Sequence, residues 1–245
     1  MRNVLGSGAS IGGVLGSGRA AAAGNGLLTG LVAYWGLDEA SGNALDKHSG
    51  GLTLTQVNSP GADTGIVYGT ARTFNGTQYF RRNSEAALQT GNIDFALAAW
   101  VYVADTANRS IAGKFNYSTN NREFALIHES TLAQFVVSAD GSGTLSRAQL
   151  SLPTQNAWHF YVAWHDATAN KIYLQIDNGT PAETAHSTGV FVGASPFDIG
   201  YLFGVYSWSG RLGPVAFWKN RTLSADDRTA LWDGGAGLVY SAFTS

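Results

Sequence analysis

The chain has 245 residues, and 15 Lys and Arg against 17 Asp and Glu leave a formal net charge of −2. Charged residues make up 13% and apolar ones 44%, so neither a basic phosphate-binding surface nor a disordered chain fits. Cysteine is absent, which removes disulfide scaffolds, thiolate metal sites and cysteine nucleophiles, while 31 glycines, near twice the usual ~7% share, imply many turns or an irregular segment.

Residues 1–26 differ from everything after them. They hold eight glycines and an alanine run at 20–23, and Val-Leu-Gly-Ser-Gly occurs at 4–8 and again at 14–18. Glycine-rich chain carries a high ordering entropy and forms no core alone. A flexible tail is one reading. Val4, Leu5, Ile11, Val14 and Leu15, however, are more apolar than a linker requires. They are expected to order against a partner chain as an anchoring arm. No apolar block resembles a secretory signal, and none approaches the ~20 residues of a bilayer span. Neither export nor membrane association is therefore expected.

From residue 27 to 245 the pattern is one all-β domain of short strands punctuated by Gly, Asn, Asp and Pro. The segment 31–35 is apolar. The run 95–103, Phe-Ala-Leu-Ala-Ala-Trp-Val-Tyr-Val, is apolar at both alternate sets of positions, as a strand covered on both faces would be. Segments 122–127 and 133–137 read as a hairpin. In 158–164, Phe160, Val162 and Trp164 share one face and His159, Tyr161 and Ala163 the other. In 171–177, Ile172, Leu174 and Ile176 point inward and Tyr173 and Gln175 outward. Asn178-Gly179 follows as a hairpin turn. Residues 215–218 make another strand core. One helix is predicted over 225–232, capped by Ser224 with Asp227 completing a capping box and closed by Gly234-Gly235.

These segments, in order, resemble the laminin-G-like jelly roll of the concanavalin A-like lectin/glucanase superfamily. The landmarks are Leu-Val-Ala-Tyr-Trp-Gly-Leu-Asp-Glu at 31–39, Ser41-Gly42, Phe74-Asn75-Gly76 and the strand with Ala99-Trp100-Val101. After them come Trp158-His159, the run 172–179, Ile199-Gly200, Gly210-Arg211-Leu212 and Leu-Ser-Ala-Asp-Asp at 223–227. The resemblance implies two antiparallel sheets, one concave, with one short C-terminal helix and here an extended glycine-rich N-terminal arm. The opening run also resembles those of bacteriophage virion proteins carrying this domain. One departure stands out. Where many relatives have an acidic pair after the glycine matching Gly210, this chain has Gly213-Pro214.

No catalytic constellation is present. The Glu-x-Asp-x-x-Glu strand of the superfamily's glucanases is missing, and Asp38-Glu39 and Asp226-Asp227 are neighbours that a strand would point to opposite faces. His159 and His165 lie six residues apart on one strand, ~20 Å at ~3.3 Å per residue, too far to share an ion. Oxygen-rich loops at 105–108 and 116–121 could take calcium, but loop turns use the same residues for ordinary Asx geometry, and that is the expected reading. No cofactor and no metal site is expected. Asn-x-Ser/Thr sequons at Asn75, Asn108, Asn116, Asn178 and Asn220 matter only on an exported chain.

The candidate binding residues are Tyr201, Phe203, Tyr206 and Trp208 within 201–208, with Tyr117 beside Asn120 and Asn121. Their rings suit sugar stacking, a protein contact, or the core. The leading expectation is a non-enzymatic virion structural protein, a capsid decoration or head-fibre-like subunit. It would assemble as a homo-oligomer and be anchored to other virion proteins by the arm, in a virion built in the host cytoplasm. The alternative is a carbohydrate-binding receptor-recognition module of a phage tail or bacterial surface protein, with a glycan as partner. Neither reading involves nucleic acid or membrane.

Overall fold

The computed structural model describes residues 26–48, 51–203 and 205–245. The arm residues Val4, Leu5, Ile11, Val14 and Leu15 lie outside them. The described chain begins at Gly26, whose N–H donates to Thr244 Oγ1 (3.3 Å), and Leu28 N–H donates to Thr244 O (2.9 Å). The start and the end of the domain are thereby tied together.

In chain order the strands are β1 (Leu31–Trp35), β2 (Thr55–Val57), β3 (Gly61–Thr64), β4 (Thr70–Asn75), β5 (Tyr79–Arg82) and β6 (Phe95–Val103). There follow β7 (Arg109–Asn116), β8 (Asn121–Glu129), β9 (Leu132–Ser138), β10 (Leu145–Ser151), β11 (Ala157–Asp166) and β12 (Lys171–Ile176). The last are β13 (Ala182–Ala185), β14 (Phe197–Ile199), β15 (Tyr201–Leu202), β16 (Tyr206–Ser207) and β17 (Ser209–Lys219), before helix α1 (Ala225–Trp232). They form two antiparallel sheets stacked as a jelly-roll sandwich. One sheet has eight strands in the order β13-β12-β11-β6-β17-β4-β3, with β1 also on β17. The other has seven in the order β10-β9-β8-β7-β14-β5-β2, and β15-β16 is a separate ribbon.

The main core lies between the sheets. Alternation supplies it: Leu97, Ala99 and Val101 of β6, Phe124 and Leu126 of β8, Phe135 of β9, Phe197 of β14 and Phe217 of β17 all point into it. Each buried leucine, valine or phenylalanine among them contributes about 1.5–3 kcal/mol. The other set of positions on β6 and its neighbours is buried too. Ala98, Trp100, Phe160, Trp164 and Trp218 form a second cluster under Leu231, Leu238, Tyr240 and Phe243 of the C-terminal segment. This is why 95–103 is apolar at both alternate sets. Two of the buried indoles keep their hydrogen bonds: Trp35 Nε1 donates to Leu52 O (2.7 Å) and Trp218 Nε1 to Leu27 O (2.8 Å), whereas Trp208 Nε1 finds no partner among the described residues.

Helix α1 carries the expected capping box, Ser224 Oγ accepting from Asp227 N (3.1 Å) and Asp227 Oδ2 accepting from Ser224 N (2.8 Å). Its C-cap is Asp233 in the left-handed region (φ 46), with Gly234 (φ 64) following. Two local details go beyond these expectations. Gln175 points away from the main core yet is buried, because Arg228 Nε of the helix donates to its Oε1 (2.6 Å). The hairpin expected at Asn178-Gly179 forms between β12 and β13, with Asp177 (φ 50) and Asn178 (φ 56) as its left-handed residues. Asp177 is held there by its carboxylate, which accepts from Phe160 N (2.8 Å) and meets His159 Nδ1 (2.5 Å). Gly213-Pro214 sits at a register break between β17 and β6, from Leu212 to Val215. That is where a residue without an N–H is tolerated.

Candidate functional site

The aromatic segment 201–208 is where the chain crosses between the sheets. It leaves β14 through Gly200, whose φ of 84 and close approach to the Phe74 ring (a Cβ would sit 2.9 Å from it) both require glycine. It returns at Trp208, whose N–H donates to Gly200 O (2.8 Å). Between them β15 and β16 fold back over the solvent side of the seven-stranded sheet. Leu202 is buried there against Phe115, Ala125, Ile127 and Val136.

Strand β5 meets this ribbon. Its alternation sends Phe80 into the core and Tyr79 and Arg81 outward. Tyr79 and Tyr201 stack at 4.4 Å between ring centroids with planes 15° apart, and Phe203 stands edge-on to Tyr201 at 6.2 Å. The Arg81 guanidinium lies 4.9 Å from the Tyr79 ring, 5.6 Å from Tyr201 and 5.7 Å from Phe203. Its position is fixed by a bidentate pair with buried Asp198, Nε to Oδ1 and Nη2 to Oδ2 both 2.7 Å. Those bonds raise the arginine's pKa. Burial raises that of Asp198, against the opposing pull of Arg81 and Lys114. Arg81 also opens onto a cleft of about 460 Å³ lined by Thr55, Val57, Arg82, Asn83, Ser84 and Glu85.

Four of the five sequence-predicted residues share this surface. Tyr201 and Phe203 build the platform. Phe203 is 37% exposed, and neighbouring Val205 is also exposed. Tyr206 covers the apolar patch and donates its hydroxyl to Glu129 Oε1 (2.5 Å), where burial, then that carboxylate, raises its pKa. Tyr117 packs on Phe115 at 5.2 Å under the Arg122 guanidinium (4.6 Å), and Asn116 bridges to Phe203. Trp208 is different. It is turned into the core beside His128 (5.4 Å between rings) and offers no ligand contact. Tyr79, Arg81 and the cleft residues went unpredicted; the visible signal was an aromatic and a cation two apart around an apolar residue.

The remaining polar groups serve the scaffold. Buried Lys114 donates to Ser195 O (2.6 Å) and lies 3.8 Å from Glu123, which accepts from Thr90 N (2.6 Å) and Gly193 N (3.1 Å). This network holds loop 189–195 onto β7 and β8. Asp38 pairs with Lys47 and Asp227 with Arg221. In the oxygen-rich loops, Asp105 accepts from Ala107 N and pairs with Arg109, Asn116 accepts from Ser118 N, and Asn121 accepts from Ala194 N. Among the described residues no three His, Asp or Glu side chains gather as metal ligands, and no helix is long and apolar enough to cross a membrane.

The Laminin_G_3 profile of the concanavalin A-like lectin/glucanases superfamily matches residues 74–227, more than half of the chain. The chain belongs to this superfamily. No curated protein matches it in sequence. Among solved structures, this lectin-like domain is similar to the binding domain of Paraclostridial Mosquitocidal Protein 1 (TM-score 0.70, 13% identity, 85% of this chain and 53% of that one). It is also similar to domain 4 of AbnA, an extracellular arabinanase of Geobacillus stearothermophilus, solved with arabinotriose (TM-score 0.61, 13% identity, 85% and 98%). A third is the binding domain of botulinum neurotoxin DC, solved with rat synaptotagmin II (TM-score 0.61, 9% identity, 84% and 52%). The chain spans about half the length of the toxin binding domains. At these identities the likeness is one of fold.

Proposed function

We propose that the chain is a non-catalytic carbohydrate-binding, receptor-recognition module, of the kind carried by a phage tail or bacterial surface protein. The observation that carries this reading is the Tyr79–Tyr201 stack with Phe203 at its edge and Arg81 locked beside it by Asp198. Two rings 15° from parallel expose a flat apolar edge and face that the C–H side of a pyranose covers. Arg81, Arg82, Asn83 and Ser84 around the adjoining cleft supply hydrogen-bond partners for hydroxyls. Because Asp198 already orients Arg81, little side-chain entropy is lost when a sugar arrives. The fold neighbours support recognition over a purely structural part, since they include toxin binding domains and a domain solved with a bound saccharide. Attachment to a larger particle through residues 1–26 is compatible with this role.

A glycan array followed by calorimetry on the full chain tests the proposal. Saccharide binding at millimolar or tighter affinity is expected. Tyr79→Ala and Tyr201→Ala should each weaken it at least tenfold with the bound sugar recovered intact. Absence of any saccharide ligand, or variants that bind like the parent, would overturn it.

A further inference from the structure

We infer that the solvent side of the other, eight-stranded sheet carries a second saccharide site, built from Tyr102, Trp158 and Arg211, that takes a sugar bearing a carboxylate. It is separate from the platform around Tyr201 and does not depend on that reading.

The register places the three residues in one row. Trp158 of β11 is directly opposite Tyr102 of β6, and Tyr102 is directly opposite Arg211 of β17, with Thr73 of β4 next along. Their chain neighbours Val101, Val103 and Leu212 point into the main core, so the row faces solvent. The C-terminal segment covers the same face at Ala98, Trp100 and Ala216, and the Tyr102 row lies one step along β6 beyond that cover. All three side chains are half-buried, anchored yet reachable.

The side chains interlock. Trp158 meets Tyr102 edge to face (5.6 Å, 70°), and the Arg211 guanidinium lies 3.7 Å above the Tyr102 ring and 5.6 Å from the Trp158 ring. Gly213 makes room for the indole. A Cβ there would stand 3.4 Å from Trp158 Cζ3 and 3.1 Å from Trp100 Cβ.

The charge state of Arg211 selects the ligand. Arg81, Arg82, Arg109 and Arg221 each pair with a carboxylate at 2.6–2.9 Å. Arg211 has no carboxylate partner among the described residues; its one hydrogen bond from Nη1 goes to Thr64 O (3.2 Å). A guanidinium has five N–H donors in a planar fork that matches a carboxylate, and stacking on Tyr102 holds that fork in place. The Trp158 ring beside it offers an apolar contact for the sugar body. A cation without a countercharge next to an indole, on a chain of net charge −2, therefore favours an acidic saccharide over a neutral one.

The test titrates the full chain, by calorimetry at low salt, with trigalacturonate, sialyllactose, a sulfated disaccharide and uncharged lactose. A carboxylated sugar should bind more tightly than lactose and lose affinity as salt is raised. Arg211→Gln and Trp158→Ala should each weaken it at least tenfold, whereas Tyr201→Ala should leave it unchanged. Thr73→Asp, which sets a carboxylate beside Arg211 without removing any of the three residues, should also weaken it, with thermal unfolding confirming that each variant is folded. The inference is overturned if neither carboxylated sugar binds, if the sulfated sugar alone binds, if Arg211→Gln and Thr73→Asp bind like the parent, or if Tyr201→Ala abolishes the acidic-sugar signal.

Discussion

His128 makes the fold sensitive to acid in a way that can be worked out from its surroundings. It lies on β8, points into the core with 1% exposure, and its Nε2 is 3.0 Å from the Tyr161 hydroxyl. Trp208 packs against its other side. Burial pushes its pKa down from 6.5 to about 4; the nearby Asp105 charge opposes this, and Arg109 and His159 add to it. A folded-state pKa below the unfolded one means that the stabilisation is fully present above pH 6.5 and is lost as pH falls toward 4. Each pH unit within that window costs about 1.4 kcal/mol, so going from pH 7.5 to 5 should remove about 2 kcal/mol. His186 is lowered by its own burial and acts in the same direction. His159 acts in the opposite one: burial would lower it, but the Asp177 hydrogen bond and charge outweigh that and raise it. The comparison with His128→Gln cancels both neighbours, since glutamine does not titrate and still offers Tyr161 a hydrogen-bond partner. Urea unfolding followed by tryptophan fluorescence at pH 7.5 and 5 should show a stability loss about 2 kcal/mol smaller in the variant. Parallel pH profiles for the two proteins, with equal denaturant slopes, would refute the reasoning.

Other consequences are simpler to state. Ser224→Ala removes one half of the capping box and should cost about 1 kcal/mol, seen as a fall of roughly 2–4 °C in melting temperature. Asp198→Asn leaves Arg81 without its countercharge and should cost about 2 kcal/mol in urea unfolding, less than the ~3–5 of a fully buried pair because Arg81 keeps 20% exposure. It should also weaken saccharide binding at the Tyr201 platform. Deleting residues 1–25, while keeping Gly26 and its bond to Thr244, should lower the assembled mass in light scattering with the melting temperature unchanged. An unaltered mass would remove the arm from any account of assembly.

Much of this architecture was legible because burial writes itself into composition. Strand β6 begins and ends where the sequence alone places it, since a strand buried at every position but Tyr102 has no polar stretch to blur its limits. The helix was equally plain, because its cap is chemistry local to Ser224 and Asp227. Edge strands β2, β3 and β13 leave no such trace: Thr-Gln-Val, Gly-Ala-Asp-Thr and Ala-Glu-Thr-Ala are half-buried or exposed and owe their form to hydrogen bonds from a neighbour. The candidate site was legible only in part. Nothing local says that Trp208 turns inward while Tyr201 turns outward; that follows from the crossing between sheets at Gly200. Tyr79 is more than a hundred residues from Tyr201, and Glu129 is 77 from Tyr206, so their meeting is a property of the topology.

The placement of both proposed sites follows from what the chain does with its own surplus apolar surface. A two-sheet sandwich needs only its inner faces dry, yet here segments of the same chain also cover both outer faces. The ribbon 201–208 shields Phe115, Ala125, Ile127 and Val136, and the C-terminal segment shields Trp100, Phe160 and Trp164. On the two sheet faces, half-exposed aromatic side chains lie at the margins of those covers. At one margin the ribbon ends against Tyr79 and Arg81, and at the other the C-terminal cover gives way to Tyr102, Trp158 and Arg211. In each case an arginine lies over an aromatic ring, a combination that tolerates partial exposure because its stem and rings pack while the guanidinium stays hydrated. The two differ in one respect that matters for recognition. Asp198 satisfies Arg81, leaving that platform suited to hydroxyls, whereas Arg211 carries an uncompensated charge. Among the described residues Arg122, Arg147 and Arg228 also lack a carboxylate partner, but Arg211 is the one that lies over both a tyrosine and a tryptophan ring beside an uncovered stretch of sheet.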